Sequence, residues 1–183
     1  MAAFDDDAWR ASVAAVRAFF GDANWPDDTS WWAAAAAALE PDSSRPAIVV
    51  LHASEGAFAA CLAHRCRVET VALLDERYFG GAGAASVDVS HLEGFADTFP
   101  GAARLVARRD GSGGQSTKAL RGLVEPGAAV VAAAPLCGLA AVRAVRLFCA
   151  PPVAALVVAS ARPPDAGALR VHARTKAAYA FDA

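Results

Sequence analysis

The sequence has 183 residues and a net charge of −2 at neutral pH, and 56% of its residues are hydrophobic while 20% are charged. This composition excludes a disordered tail, and the length suits one domain, residues 1–183, with a single core. The small net charge does not support nucleic-acid binding through charge alone, although a local basic face would still allow it.

Membrane and secretory signals are missing from the sequence. No apolar run is long enough to cross a bilayer, and aspartates occupy positions 5–7, where a secretory signal carries basic residues. We therefore expect a cytoplasmic protein, or a nuclear one if the source is a virus or a eukaryote. The sequence has fifteen arginines and two lysines, which indicates a GC-rich genome. Any single arginine is therefore weak evidence for phosphate recognition.

The chain divides into a helical N-terminal extension, residues 1–45, and an α/β core, residues 46–183. The first helix is expected over 8–20, because apolar residues recur there at helical spacing. The aspartates at 5–7 offer its N-cap, and Gly21 ends it.

A second helix is expected over 30–39, where tryptophans precede a run of alanines. Thr29 or Ser30 is the predicted N-cap. Trp31 and Trp32 are expected to pack against the sheet rather than to stack on nucleic-acid bases.

From residue 46 onward, apolar segments alternate with helix-like segments. Strands that are apolar throughout indicate a parallel sheet covered on both faces. The fold class is therefore α/β: a single Rossmann-like three-layer domain with a mainly parallel sheet and a C-terminal antiparallel hairpin, preceded by two N-terminal helices. The expected strands are 47–52, 68–74, 86–90, 103–108, 128–134, 153–160 and 168–174, and the expected helices of the core are 56–66, 91–99, 116–124 and 138–149.

The four cysteines do not form a metal-binding pattern. There is no C-x-x-C pair, and Cys61 and Cys66 lie five residues apart, which puts them on different faces of a helix. We expect small buried apolar residues at these positions and no metal site. His64 is expected on the helix surface.

The segment "ASEGAF", residues 53–58, follows an apolar strand and opens a helix-like run. A glycine-containing turn of this kind is where α/β proteins usually bind ligands. Asp75 ends the second strand about twenty residues later, and "LVEPGAAVV", residues 123–131, leads into the fifth. These features resemble class I S-adenosylmethionine-dependent methyltransferases, in particular the ribosomal-RNA 2′-O-methyltransferases.

The resemblance implies an S-adenosylmethionine site at the turn and at the end of the second strand. There the glycine lets the backbone approach the cofactor, and the carboxylate accepts the ribose hydroxyls. The cofactor-binding residues that it implies are His52, Ser54, Glu55, Gly56, Phe58 and Asp75.

The sequence departs from the family at its catalytic positions. Of the two lysines, aspartate and glutamate that the 2′-O branch uses, only the aspartate has a match, Asp110. The strand-five lysine position falls in the apolar run 131–134, and Ser160 stands where the glutamate is expected. The resemblance thus implies either a divergent methyltransferase or an inactive member that acts as a binding or structural subunit, together with a partner protein or a second copy of itself.

A second resemblance is to type I phosphoribosyltransferases of the orotate kind. Residues 105–115 resemble their basic strand and mobile glycine loop, and residues 125–145 their phosphoribosyl-binding strand and loop. Ala133 and Ala134 replace the two acids of that loop, and Gly138 is kept. The resemblance implies a degenerate domain that does not hold phosphoribosyl pyrophosphate and magnesium in the usual way.

A third interpretation makes "HASEG", residues 52–56, the nucleophile elbow of a small α/β-hydrolase. Ser54 would then be the nucleophile, and Asp110 or Asp165 with His172 would follow in the order of such triads. The helical character of residues 1–46 speaks against it, because this fold needs strands before the elbow.

Purely structural roles compete for the same residues. Ser54 and Glu55 would cap the helix 56–66, since both accept from free backbone N–H groups at a first turn. Asp75 would cap a strand end, Asp110 would belong to a surface loop, and His52 would be a core histidine. The sequence does not decide between these roles and ligand binding.

Overall fold

A computed structural model describes residues 4–39, 45–75, 78, 86–109, 127–132 and 155–158. The helices are α1 (Asp6–Phe20), α2 (Trp32–Ala38), α3 (Ala57–Arg65) and α4 (Phe95–Thr98). The strands are β1 (Arg45–Leu51), β2 (Val68–Asp75), β3 (Arg104–Arg109), β4 (Ala129–Ala132) and β5 (Ala155–Val158). Short 3₁₀ segments cover Asp22–Asn24 and Ser90–Gly94.

The five strands form one sheet in the order β3-β2-β1-β4-β5, and every pair in it is parallel. The predicted α/β class with a mainly parallel sheet is confirmed at this level. Strand β1 lies in the middle, with the next two strands on one side and the last two on the other, so the strand order reverses between β1 and β4. The antiparallel hairpin expected around 168–174 lies outside the described residues.

One face of the sheet packs on the helices. Ile48 of β1 lies between Val71 and Ala129, and Val50, two residues later, lies between Leu73 and Val131 on the same face. These residues join α1, α2 and α3 in one buried cluster. The N-terminal extension therefore completes the hydrophobic core on this side of the sheet.

The opposite face of the sheet is buried as well. None of its central residues is more than 4% exposed: Val49, Leu51, Ala72, Leu74 and Val130. Burial on both faces explains why the strand sequences are apolar throughout instead of alternating with polar residues.

Helix α1 has the signals that its sequence predicts. Asp5 Oδ1 accepts the backbone N–H of Ala8 at 2.9 Å, and the N–H of Gly21 closes the last turn on the carbonyl of Arg17 at 2.9 Å. The buried residues recur every three or four positions: Trp9, Ser12, Val16 and Phe20. This stripe directs α1 onto the core.

The predicted N-cap of α2 is wrong. Trp31 precedes the helix and makes no capping bond, and Ser30 instead donates its backbone N–H and its hydroxyl to Asp28 Oδ1, at 3.0 and 2.7 Å. The hydroxyl is thus used in a turn before the helix. Trp32 is 3% exposed and packs in the core, as predicted.

Residues 86–90 do not form the expected strand. Within the described residues, Val87 makes only an isolated bridge with Tyr78. Asp88 Oδ1 accepts the backbone N–H of Ser90 at 2.9 Å, which turns the chain into a 3₁₀ segment. The helix expected over 91–99 consequently becomes α-helical only at Phe95.

Cys61 and Cys66 are buried, as expected for small core residues; Cys137 and Cys149 lie outside the described residues. His64 is half-buried on α3 and also joins this helix to α1. Its Nδ1 lies 3.0 Å from the hydroxyl of Ser12 on α1. No helix in the described part of the chain has the length and hydropathy that a membrane span requires.

Candidate functional site at the turn after β1

The turn from His52 to Gly56 joins β1 to α3 at the carboxyl end of the sheet, beside the reversal of strand order. Three of its five residues have positive φ angles: 53° at His52, 49° at Ser54 and 89° at Gly56. Such values are unfavourable for residues other than glycine. Two residues of the turn are therefore strained, and the surrounding structure has to hold them.

Three side chains hold the turn by its backbone, and we call them the turn clamp: Asp75, Tyr78 and His91. Asp75 Oδ2 accepts the N–H of Ser54 at 3.0 Å, and the Tyr78 hydroxyl donates to the carbonyl of Ser54 at 2.5 Å. His91 Nε2 lies 3.0 Å from the carbonyl of Glu55. Because a carbonyl only accepts, this nitrogen carries the proton.

Asp75 is the last residue of β2 and is 2% exposed. It lies where the methyltransferase resemblance places the ribose-binding acid. Its carboxylate points to the neighbouring turn and meets the Ser54 N–H. In this conformation Asp75 faces protein rather than solvent.

Ser54 and Glu55 do not cap α3, so that structural prediction is wrong. The helix begins after Gly56, which occupies the N-cap position and has no side chain to offer, and Ser54 lies two residues too early. The Ser54 hydroxyl donates instead to the carboxylate of Glu55. The N-cap residue of α3 consequently supplies no side-chain acceptor to its first turn.

Gly56 is required by packing as well as by its backbone angle. A Cβ atom at this position would lie 2.7 Å from Leu73 Cδ2 and 3.1 Å from Leu92 Cδ1. Leucine side chains therefore fill the space beside the glycine, on the side where its Cβ would point.

Phe58 lies in an aromatic cluster of the core. It is 3% exposed, and its ring centroid lies 6.4 Å from that of Trp9, 4.9 Å from that of Trp31 and 5.3 Å from that of Trp32. The ring thus anchors the N-terminal extension on α3, away from the backbone groups that the turn clamp binds.

The six residues expected to bind a cofactor thus separate into two sets. His52, Ser54 and Glu55 are half-buried at the turn, where a ligand would reach them. The other three face protein: Gly56, Phe58 and Asp75. The weak catalytic candidate Asp110 and the hydrolase candidates Asp165 and His172 lie outside the described residues.

Two members of the clamp were missed at the sequence level. Tyr78 is buried at 0% exposure and follows β2 closely, and His91 lies in the 3₁₀ segment with its ring 4.8 Å from that of Phe20. Neither residue belongs to a periodic pattern or to a known spacing. Only the three-dimensional approach of these segments to the turn reveals them.

The described residues offer hydrogen-bonding groups at the turn. Among the described residues no three His, Cys, Asp or Glu side chains are grouped so that they would hold a metal ion. Within the same part of the chain, the side-chain partner of the Ser54 hydroxyl is the adjacent Glu55, and no histidine is bonded to this hydroxyl.

No family model matches this chain, and neither a curated protein nor a solved structure matches it. The two family resemblances and the hydrolase interpretation therefore remain predictions, and the function has to be argued from the geometry of the turn.

Proposed function

We propose that this chain is a divergent methyltransferase-like domain that acts as a binding or structural subunit and does not transfer methyl groups. The observation that carries the proposal is the position of Asp75, which is 2% exposed and bonded to the Ser54 N–H. The acid that would hold a cofactor ribose serves to hold the turn. The strand order β3-β2-β1-β4-β5 supports a Rossmann-like three-layer arrangement for this domain.

A ligand that binds Asp75 Oδ2 in place of the Ser54 N–H would have to break the bond between these two residues. Leaving a buried backbone N–H without its acceptor costs about 1–3 kcal/mol. Binding would weaken by about tenfold for each 1.4 kcal/mol of this cost. S-adenosylmethionine is the cofactor that the resemblance implies, and it would meet the half-buried His52, Ser54 and Glu55 first.

Strand β4 also supports the absence of methyl transfer. The position of the catalytic lysine falls in the run that starts at Val131, and Val131 is fully buried on the face that packs on the helices. A lysine at position 131 would lie in the core rather than at a substrate. The valine at position 131 thus packs in the hydrophobic core.

The test is methyl transfer from labelled S-adenosylmethionine to RNA and protein acceptors, with thermal unfolding followed in parallel. Unfolding is recorded with S-adenosylmethionine, S-adenosylhomocysteine, phosphoribosyl pyrophosphate and orotate. We expect no turnover with the methyl donor and no phosphoribosyl transfer. Turnover that disappears in an Asp110→Ala variant would show that the protein is an active methyltransferase.

The same proposal assigns the role of the chain to its surfaces, through a partner protein or a second copy of itself. Light scattering of the purified protein over a range of concentrations distinguishes the two. A concentration-dependent dimer supports self-association. A monomer at all concentrations leaves a different protein as the partner, to be sought by cross-linking.

A second function, a small α/β-hydrolase with Ser54 as nucleophile, is favoured by one specific observation. Ser54 has a φ of 49° on a turn between a strand and a helix, and a nucleophile elbow holds its serine on a strained turn of this kind. A fluorophosphonate reagent tests it. Labelling that is lost in Ser54→Ala and kept in Ser90→Ala would establish the hydrolase, whereas an unlabelled native protein would reject it.

A further inference from the structure

An open groove of about 600 Å³ lies at the opposite end of the sheet from the turn. It is formed where β1 and β2 begin and α3 ends. The charged and titratable residues that line it are Arg45, His64, Arg65, Arg67 and Glu69. Three arginines and one carboxylate thus line the same groove.

The parallel pairing of β1 with β2 brings these residues together from separate parts of the chain. Arg45 begins β1 opposite Val68, and its backbone N–H donates to the carbonyl of Arg67 at 3.4 Å. Arg65 is the last residue of α3. The Nε of Arg45 donates to the carbonyl of Leu39 at 3.3 Å, which orients this side chain at the groove.

A fourth arginine lies at the same end of the sheet but does not line the groove. Arg104 begins β3 opposite Thr70, at the amino end of the sheet. Arg67 and Arg104 are both exposed. The ion pairs recorded within the described residues lie near α1 and involve neither of these two arginines.

Simpler explanations account for only part of this cluster. A cation in the last turn of a helix is favourable on electrostatic grounds, which suffices for Arg65. It does not explain Arg67, which lies beyond the helix end, or Arg45, which starts a strand. A GC-rich genome explains why the cations are arginines, but it does not explain why residues far apart in the sequence meet at one groove.

We propose that this groove binds phosphate groups. Guanidinium groups donate paired hydrogen bonds to phosphate oxygens, and several of them around one depression create a local positive potential. The shared chemistry is that of closely spaced phosphate oxyanions. A free nucleotide or polyphosphate and the backbone of a single-stranded nucleic acid would both present it.

The groove is separate from the turn after β1, and its assignment does not depend on the function proposed for that turn. Overall the chain carries a charge of −2, so phosphate would be held by this local cluster and not by the protein as a whole. Phosphate binding should therefore depend on a few residues at this end of the sheet.

The test uses the full chain and two probes, inorganic pyrophosphate and a single-stranded RNA oligonucleotide, in calorimetric titrations at low and high salt. We expect binding that weakens with salt and that falls about tenfold or more in the Arg65→Ala, Arg67→Ala double variant, which removes two arginines that line the groove. Lysine instead of alanine at position 67 in this double variant should restore part of the binding. The matched control is Arg10→Ala, an exposed arginine on α1, which should bind as the native protein does.

The two probes also identify the source of the phosphate. Pyrophosphate bound as tightly as the oligonucleotide supports a free phosphorylated ligand, and much tighter binding of the oligonucleotide supports a nucleic-acid backbone. Two results would overturn the proposal. One is the absence of binding by both probes, and the other is equal affinity of the native protein and the double variant, with folding of the variant verified by circular dichroism.

Discussion

The carboxylate of Asp75 accepts the backbone N–H of Ser54 at 3.0 Å and so links the end of β2 to the turn that follows β1. The two residues are far apart in sequence and become neighbours because their strands are paired in parallel. This bond joins a buried charged group to a backbone group in a strained conformation, so its removal has a measurable cost.

Replacing Asp75 by alanine should lower the free energy of unfolding by about 1–3 kcal/mol, because the Ser54 N–H would lose its acceptor. Asp75→Asn keeps an acceptor oxygen and should lose less. Urea denaturation of both variants measures the difference. Unchanged stability of Asp75→Ala would contradict the structural role, and a selective loss of S-adenosylmethionine binding in that variant would favour the ribose-binding role instead.

Gly56→Ala should destabilise the protein by about 2–4 kcal/mol, since a positive φ disfavours alanine and the new methyl group would crowd Leu73. The control is Gly94→Ala. Gly94 has a φ of −81°, and a methyl group added there would meet no atom within 4 Å, so its variant should stay within about 0.5 kcal/mol of the native protein. Equal stabilities of the two variants would refute this account of the turn.

Phe58→Ala should lower the free energy of unfolding by about 3–5 kcal/mol, because a buried aromatic ring is lost from the cluster that anchors the N-terminal extension. Phe4→Ala, which removes a half-buried ring at the edge of the same cluster, should cost about 1 kcal/mol. Thermal and urea unfolding measure both. A Phe58 variant as stable as the Phe4 variant would mean that the cluster contributes little.

The stability of the protein should rise with pH between about pH 5 and 7, in part through His64. Burial lowers the pKa of His64 below its ordinary value of 6.5, so the unfolded chain binds a proton more readily than the folded one in this range. Acid therefore favours unfolding. His64→Gln keeps a hydrogen-bonding partner for Ser12 and should reduce the slope of stability against pH, and an identical slope would exclude His64 as a contributor.

Sequence patterns predict the secondary structure well where one physical signal dominates. The apolar runs that became β1 and β2 are buried on both faces, and the stripe on α1 begins and ends at its predicted cap residues, Asp5 and Gly21. The expected strand at 86–90 failed because its alternating valines compete with Asp88, whose carboxylate turns the chain at Ser90. Local hydrogen bonding outweighed the periodic pattern there.

The candidate site was predictable in position but not in its contacts. The glycine-containing turn and Asp75 were identified from the sequence, and the structure brings them together. Tyr78 and His91 could not be identified, because they reach the turn only in the folded structure. The parallel pairing of β1 with β2 brings Asp75 beside the turn, but no spacing rule predicts that its carboxylate bonds to Ser54.

The central place of β1 in the sheet has a consequence for biosynthesis. One side of β1 can pair with β2 soon after both have left the ribosome, since a single helix separates them, but its other side must wait for β4, far later in the chain. Until then the nascent protein exposes an apolar strand edge with unpaired backbone groups, which is the kind of surface that other chains add to. Completion of the sheet is thus the step at which aggregation and folding compete, and chaperone demand should be highest during synthesis of the segment between these two strands.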